Sequence, residues 1–266
     1  MAAPEASRSA FLTRITTSGA RRVPEIGVLF WVIKALSTAM GEATSDYLVH
    51  RLGSVPAVGL GFVGFVAALV FQFSRRRYTA VAYWLAVVGV GVFGTMAADV
   101  LHVGFGVAYA VSSTLYAVVL AAVFVTWDRT ERTLSIHTVN TDRREAFYWA
   151  AVVATFAMGT AVGDLTATTL HLGYGASILL FAGVIAVPAV GFRWLRWNAI
   201  LSFWFAYVVT RPLGASFADW VGKPKRISGL GVGDGVVSLV LTAVIAVLVA
   251  YLAVSRRDVQ ADPAGA

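Results

Sequence analysis

Apolar residues run along this chain in eight blocks of about 20, parted by short clusters of Gly, Pro and charge. Twenty residues at 1.5 Å each cross a hydrocarbon core of roughly 30 Å, so every block predicts a membrane-spanning helix. The first span covers about 24–48 and opens at Pro24-Glu25, proline being tolerated in a first helical turn. Leu52-Gly53-Ser54-Val55-Pro56 turns into the second, which ends near Arg75-Arg76-Arg77. The third covers about 79–103, and Gly104-Phe105-Gly106 leads into the fourth, which ends at Trp127. Residues 128–144 are polar and form the one sizeable loop. Span five runs over 145–172, Gly173-Tyr174-Gly175 turns the chain, and span six ends near Trp194. Span seven covers about 197–221, and the connector 223–231 leads to span eight, which finishes before Arg256-Arg257. A transmembrane barrel would need alternating segments of about 10 residues, and these blocks do not alternate.

The blocks carry a fourfold repeat. Phe30-Trp31 leads to Gly41 and Asp46, Tyr83-Trp84 to Gly94 and Asp99, Tyr148-Trp149 to Gly159 and Asp164, and Phe203-Trp204 to Gly214 and Asp219. In each copy nine residues separate the Trp from the Gly, and four separate the Gly from the Asp. Four copies at fixed spacing indicate tandem duplication. The repeats cover 24–77, 78–127, 145–196 and 197–255, with an arm at 1–23, a loop at 128–144 and a tail at 256–266. Each is a helical hairpin that returns the chain to its starting side. All four then share one orientation about an axis along the membrane normal.

Composition agrees: 58% of residues are hydrophobic and only 13% charged, against roughly 25% charged in soluble domains. No Cys is present, which excludes disulfides and thiolate metal sites. The net charge of +7 could suggest nucleic acid, but the basic residues lie between the spans, where a membrane explains them. Fifteen of the 21 Lys and Arg fall on the side of the termini, the 75–77 turn, the 128–144 loop and the Arg193/Arg196 turn, while Arg51, Lys223, Lys225 and Arg226 lie opposite. The positive-inside rule then places both termini in the cytoplasm. The polar arm 1–23 lacks the apolar core of a signal peptide and reads as disordered, and the tail reads as frayed.

The repeated Trp31, Trp84, Trp149 and Trp204 fall near the cytoplasmic ends of the odd spans, where interfacial anchors belong. The repeated Gly suits close helix packing. Asp46, Asp99, Asp164 and Asp219 lie about 22 Å further along, past the midplane, and should face the bundle interior or water. Glu42 precedes Asp46 by one turn, Lys34 lies two turns further back, and Arg211 stands eight residues before Asp219. Both bases are deep enough to need carboxylate partners, or to serve as counter-charges or gates. His50, His102 and His171 follow their own Asp outward and are candidate metal ligands. Carboxylates with imidazoles suit a divalent metal such as Mn²⁺, Fe²⁺, Ni²⁺ or Zn²⁺, or a proton relay. The alternative is structural: the acids pair with Lys34, Arg211 and helix hydroxyls and hold the repeats together. Pro212 interrupts span seven and can bend it. Gly231-Val232-Gly233-Asp234 matches an intramembrane aspartyl-protease motif, but the repeated Gly-x-Gly turn already explains it.

The four hairpins, each with its Trp, Gly and Asp, resemble a bacterial family of uncharacterised integral membrane proteins. That family has four tandem repeats of unknown function, with two transmembrane spans and a characteristic Trp in each. The resemblance covers about 24–254 and implies a cytoplasmic-membrane protein, with no activity or site residues to carry over. The expectation is an all-α polytopic membrane protein, eight helices as four parallel hairpins. It would transport or conduct a small cation past the four Asp, with no resident cofactor, no catalytic residue and no nucleic-acid partner. The runners-up are a non-transporting scaffold or sensor, and a transporter of a small anionic solute bound by Arg211 or Lys34.

Overall fold

A computed structural model describes residues 20–260, and among them there are eight α-helices and no strand. They are α1 (Val28–Leu52), α2 (Ser54–Phe73), α3 (Ala80–Asp99), α4 (Tyr109–Glu131), α5 (Asp142–Asp164), α6 (Gly173–Trp194), α7 (Ala199–Gly222) and α8 (Asp234–Ser255). Directly after Asp99 and Asp164, α3 and α5 widen into π turns, Val100–Gly104 and Leu165–Thr169. Such wide turns inside helices often mark functional positions.

Three boundaries differ from expectation. The first helix starts at Val28, so Pro24 lies in an extended lead-in and does not open it. The fourth helix continues beyond Trp127 to Glu131, and α5 begins at Asp142, capped by the Thr141 hydroxyl accepting from the Arg144 N–H. Glu131 also pairs with Arg143 and Arg144, which draws the two helix ends together and leaves a connector shorter than the expected loop.

The odd helices form a closed ring: α1 packs on α3, α3 on α5, α5 on α7, and α7 back on α1. The even helices lie outside it, α2 mainly on α3, α4 on α5, α6 on α7 and α8 on α1. Each hairpin thus lays its outer helix against the inner helix of the next repeat, and α8 closes the circle. Within their apolar stretches α3 and α5 are 61% and 67% buried, whereas α2, α4, α6 and α8 are only 17–22% buried. The outer helices present Leu60, Val63, Val111, Val118, Leu179, Leu239 and Val247 on the surface. An apolar belt of this kind has a lipid bilayer as its solvent. Six of the helices are long and apolar enough to cross a membrane, while α1 and α7 carry Lys34, Glu42, Asp46, Arg211 and Asp219 inside the ring. The protein is an all-α polytopic membrane protein of four parallel hairpins.

The repeated Gly explains how the ring closes. A Cβ at Gly41 would stand 2.8 Å from the backbone of Gly91, and one at Gly94 would stand 3.0 Å from Phe156 Cβ. At Gly159 it would meet Arg211 Cγ at 2.3 Å, and at Gly214 Thr38 Oγ1 at 2.0 Å. In all four cases the neighbour lies three residues before the repeated Gly of the next repeat, counting the first after the fourth. One rule is applied four times around the axis.

The described ends of the chain are packed, not frayed. Arg22 is buried and pairs with Glu145 at 2.7 Å and with Asp142 at 2.5 Å. Gln72 Nε2 donates to the same Glu145 carboxylate at 2.8 Å. Gln260 Nε2 donates to the Pro24 carbonyl at 2.9 Å, and the Tyr78 hydroxyl donates to Asp258. Residues 20–23 and 256–260 therefore belong to an ordered layer over the terminus-side end of the ring. The remainder of the expected arm and tail, 1–19 and 261–266, lies outside the described residues.

Candidate functional site

Three layers follow one another along the ring axis: aromatic, basic and acidic. In the aromatic layer the first residue of each repeated pair packs on the Trp of the next repeat. The ring centroids are 5.7 Å apart for Phe30–Trp84, 5.5 Å for Tyr83–Trp149, 6.0 Å for Tyr148–Trp204 and 5.7 Å for Phe203–Trp31. Trp84, Trp149 and Trp204 are buried and Trp31 is partly so, which corrects their reading as interfacial anchors. The pair packs between neighbouring inner helices around the whole ring, with Trp31 and Phe203 also lining a cavity at its edge. Trp204 Nε1 donates to the Leu134 carbonyl at 2.9 Å, and Trp149 Nε1 to Glu145 at 3.4 Å. Trp194, on outer helix α6, is 70% exposed and suits the interfacial role instead. Two cavities of about 500 and 580 Å³ lie near the same end, around Leu134 and Ile200, and none of the repeated Asp lines either.

The basic layer comes next. Arg211 is fully buried on α7 and binds all three other inner helices. Its Nη2 donates to Glu42 on α1 at 2.6 Å, to Thr160 on α5 at 2.6 Å and to Thr95 on α3, and its Nη1 donates to the Thr38 carbonyl at 3.1 Å. The expected carboxylate partner exists for Arg211, and it is Glu42. For Lys34 it does not. The Lys34 ammonium has no hydrogen-bond partner among the described residues, and it rests on the rings of Phe156 and Tyr207, 4.1 and 4.3 Å from their centroids.

The acidic layer lies beyond. Glu42, Asp46 and Asp219 bring one carboxylate oxygen each within 4.8 Å of one another. Lys223, just past α7, sits among them, paired with Asp46 and 3.8 Å from Asp219. Burial works against its ammonium, but Asp46 and Asp219 hold its pKa above the ordinary lysine value. Asp99 lies within electrostatic reach of Glu42, Asp46 and Asp164, and Asp164 within reach of Glu42, Asp46 and Arg211. The four Asp therefore gather around one axis. Asp99 and Asp164 are partly exposed and make no side-chain hydrogen bond or ion pair among the described residues.

The His column does not join them. His102 is buried at the first π turn, with Nδ1 bonded to the Val107 carbonyl at 2.9 Å, Nε2 to Ser112 at 3.1 Å, and the Tyr109 ring packed against its own at a tilt of 34°. His50 and His171 are exposed, and His171 Nδ1 is taken by the Thr169 carbonyl at 2.8 Å. An imidazole whose nitrogens already bond its own turn is a structural group there. Of the contacts the structural alternative required, those to Arg211 and a helix hydroxyl exist at Glu42, which accepts from Arg211 and Thr95, while no acid pairs with Lys34.

Sequence reasoning missed Thr95 and Thr160, although a signal was present. Each directly follows its repeated Gly, as Glu42 follows Gly41, so aligning the copies makes a polar column. It also missed the role of Lys223 at the acids, and Tyr109 and Tyr174 at the starts of α4 and α6, both within electrostatic reach of Asp164 and Asp219.

Comparison with known proteins supplies the family. A family model described as "Repeat of Unknown Function (DUF347)" matches four times, at 29–78, 82–133, 147–196 and 202–258. No curated protein and no solved structure gives a match.

Proposed function

The chain belongs to the DUF347 family of repeats of unknown function, and from its axis we propose that it transports a small divalent cation loaded at the acidic end. The observation that carries this reading is the pair Asp99 and Asp164, partly exposed and unpaired beside the Glu42–Asp46–Asp219 cluster. A scaffold would pair its intramembrane acids, because an uncompensated carboxylate inside a bundle is costly. A pathway needs them free.

The clustered donors are all carboxylate oxygens, which suits a hard cation such as Mn²⁺, Mg²⁺ or Ca²⁺ better than Ni²⁺ or Zn²⁺. Lys223 acts as a tethered cation that holds Asp46 and Asp219 in place until a metal displaces it. By the positive-inside rule the acids face the exterior and the termini the cytoplasm. The aromatic layer then closes the inner side, so the bundle works by alternating access and not as an open channel. An anionic solute is disfavoured, since both terminal nitrogens of Arg211 are engaged by the ring itself and Lys34, though unpartnered, is 0% exposed beneath the Phe156 and Tyr207 rings. The role needs only the bilayer and the cation as partners and involves no covalent step.

The test is cellular metal content across a divalent panel, comparing a deletion strain, the wild-type complement and four single Asp→Asn complements at matched protein level. One metal should shift on deletion and be restored by wild type but not by the Asn variants. If wild type and all four variants are indistinguishable for every metal, the reading fails and a scaffold role takes its place.

A further inference from the structure

The cavity of about 500 Å³ lies where α7 meets α1 and the circle of repeats closes, and the metal reading gives it no role. Its walls are largely apolar and include three aromatic residues, Trp31 and Phe203 of the inner helices and Phe192 of α6. Its polar lining includes Glu25 and His137, both exposed. The Glu25 backbone is held in place, its N–H donating to the Asp258 carbonyl at 2.7 Å. The Glu25 carboxylate itself makes no hydrogen bond or ion pair among the described residues. His137 Nδ1 lies 3.3 Å from Gln260 Oε1. Gln260 Nε2 donates to the Val23 and Pro24 carbonyls, so Oε1 is the acceptor and Nδ1 carries the proton. In the neutral ring Nε2 then offers a lone pair. Arg21 donates to the same Gln260 oxygen, and neither it nor any other Lys or Arg lines the cavity. Ser202, buried in the wall, keeps a hydroxyl with no hydrogen-bond partner among the described residues, a polar group that a ligand can satisfy.

The lining therefore offers one unpaired negative charge, lone pairs and aromatic faces, and no fixed positive charge. Ring faces attract cations through their quadrupoles, and a free carboxylate adds a charge partner. A volume of about 500 Å³ is that of a small-molecule site, in which apolar walls bury the ligand and a few polar groups orient it. The neighbouring cavity carries Asp128 and Arg132, one charge of each sign, and so selects neither. We propose that the cavity at the α7–α1 junction binds a lipophilic organic cation, its charge at Glu25 and His137 and its apolar body against Trp31, Phe192 and Phe203. A lipid acyl chain would fill the same walls but makes no use of the carboxylate. None of the repeated Asp lines this cavity, so the site stands or falls separately from the metal reading.

The experiment is equilibrium dialysis of the full chain in phosphatidylcholine nanodiscs against tetraphenylphosphonium, with uptake by empty nanodiscs subtracted. Tetraphenylborate, of the same shape and opposite charge, is run beside it. Wild type should bind the phosphonium saturably and leave the borate at the empty-disc level. Glu25→Gln should weaken phosphonium binding by about fivefold, the upper range for an exposed ion pair. Phe192→Ala should weaken it by about threefold or more through loss of one ring face. Both residues are exposed, so the thermal unfolding of both variants should match wild type. Asp219→Asn, in the acidic layer, should leave phosphonium binding unchanged. No saturable binding to wild type overturns the proposal, as does binding that either Glu25→Gln or Phe192→Ala leaves unchanged. Equal binding of the borate also overturns it and makes the cavity a plain apolar site for lipid chains.

Discussion

The two ends of the axis have been treated differently by the same duplication. At the aromatic end the four repeats remain interchangeable, with centroid separations between 5.5 and 6.0 Å around the whole circle. Two to three turns towards the acids the equivalence breaks. The residue after the repeated Gly is Glu42, Thr95, Thr160 and Ala215 in turn, and the residue three before it is Thr38, Gly91, Phe156 and Arg211. Repetition builds and closes the ring, and divergence places a single Arg, a single Glu and a single bridging Lys inside it. The repeated aromatic pair and Gly carry architecture. The repeated Asp, kept in all four copies, are told apart by asymmetric neighbours: Lys223 pairs with Asp46 and approaches Asp219, and Asp99 and Asp164 are left without a partner among the described residues.

Substitutions at the two ends should separate these roles, and the largest effect belongs to Arg211. Arg211→Met leaves Glu42 buried and unpaired and should lower unfolding stability by about 3–5 kcal/mol. Adding Glu42→Met should recover most of that loss, which a double-mutant cycle of thermal unfolding would read. In the symmetric layer Trp84→Ala should cost about 3–5 kcal/mol, as for other buried Trp truncations. Trp194→Ala on the outer surface should stay within about 0.5 kcal/mol. A smaller contrast concerns glycines. Gly41→Ala presses a methyl on the Gly91 backbone and should cost about 1–3 kcal/mol. Gly64→Ala on α2 meets nothing within 4 Å and should gain up to about 1 kcal/mol from helix propensity. Smallest is Lys34→Met, which should be neutral or stabilising by about 1 kcal/mol, because it removes a buried charge that has no anion beside it. A large loss there would mean that the ring-faced ammonium holds the fold together.

Much of this was legible from block length and spacing. Eight spans, four parallel repeats and a close-packed Gly follow from periodicity, and the depth of the Asp follows from helical rise. What the outer helices pack against was not legible, since α2, α4, α6 and α8 are apolar nearly all round and the few polar residues they bury, Gln72, Ser112 and Ser177 among them, do not identify the helix they meet. The same uniformity misplaced the Trp residues. Near a helix end the common role of Trp is at the interface, and only the packed ring turns Trp84, Trp149 and Trp204 inward. The His residues were misread because spacing along one helix cannot show that a π turn directs His102 onto its own loop. Lys223 was hidden for a related reason: its partner Asp46 lies 177 residues away, across the junction of the last repeat with the first.

The measurement that tests the account most directly is equilibrium Mn²⁺ binding to the purified full chain in nanodiscs, followed by the spin-resonance signal of free Mn²⁺. The protein is compared with Asp46→Asn, Asp219→Asn and Lys223→Met. Wild type should bind saturably, and both Asn variants should weaken binding by at least about tenfold, or about 1.4 kcal/mol. Lys223→Met should strengthen it by a similar factor, because removal of one competing charge at about 4 Å is worth at least that much at an effective dielectric constant near 20. Binding that is absent in wild type, or unchanged by all three substitutions, would contradict the claim that the acidic end of this ring is a cation site.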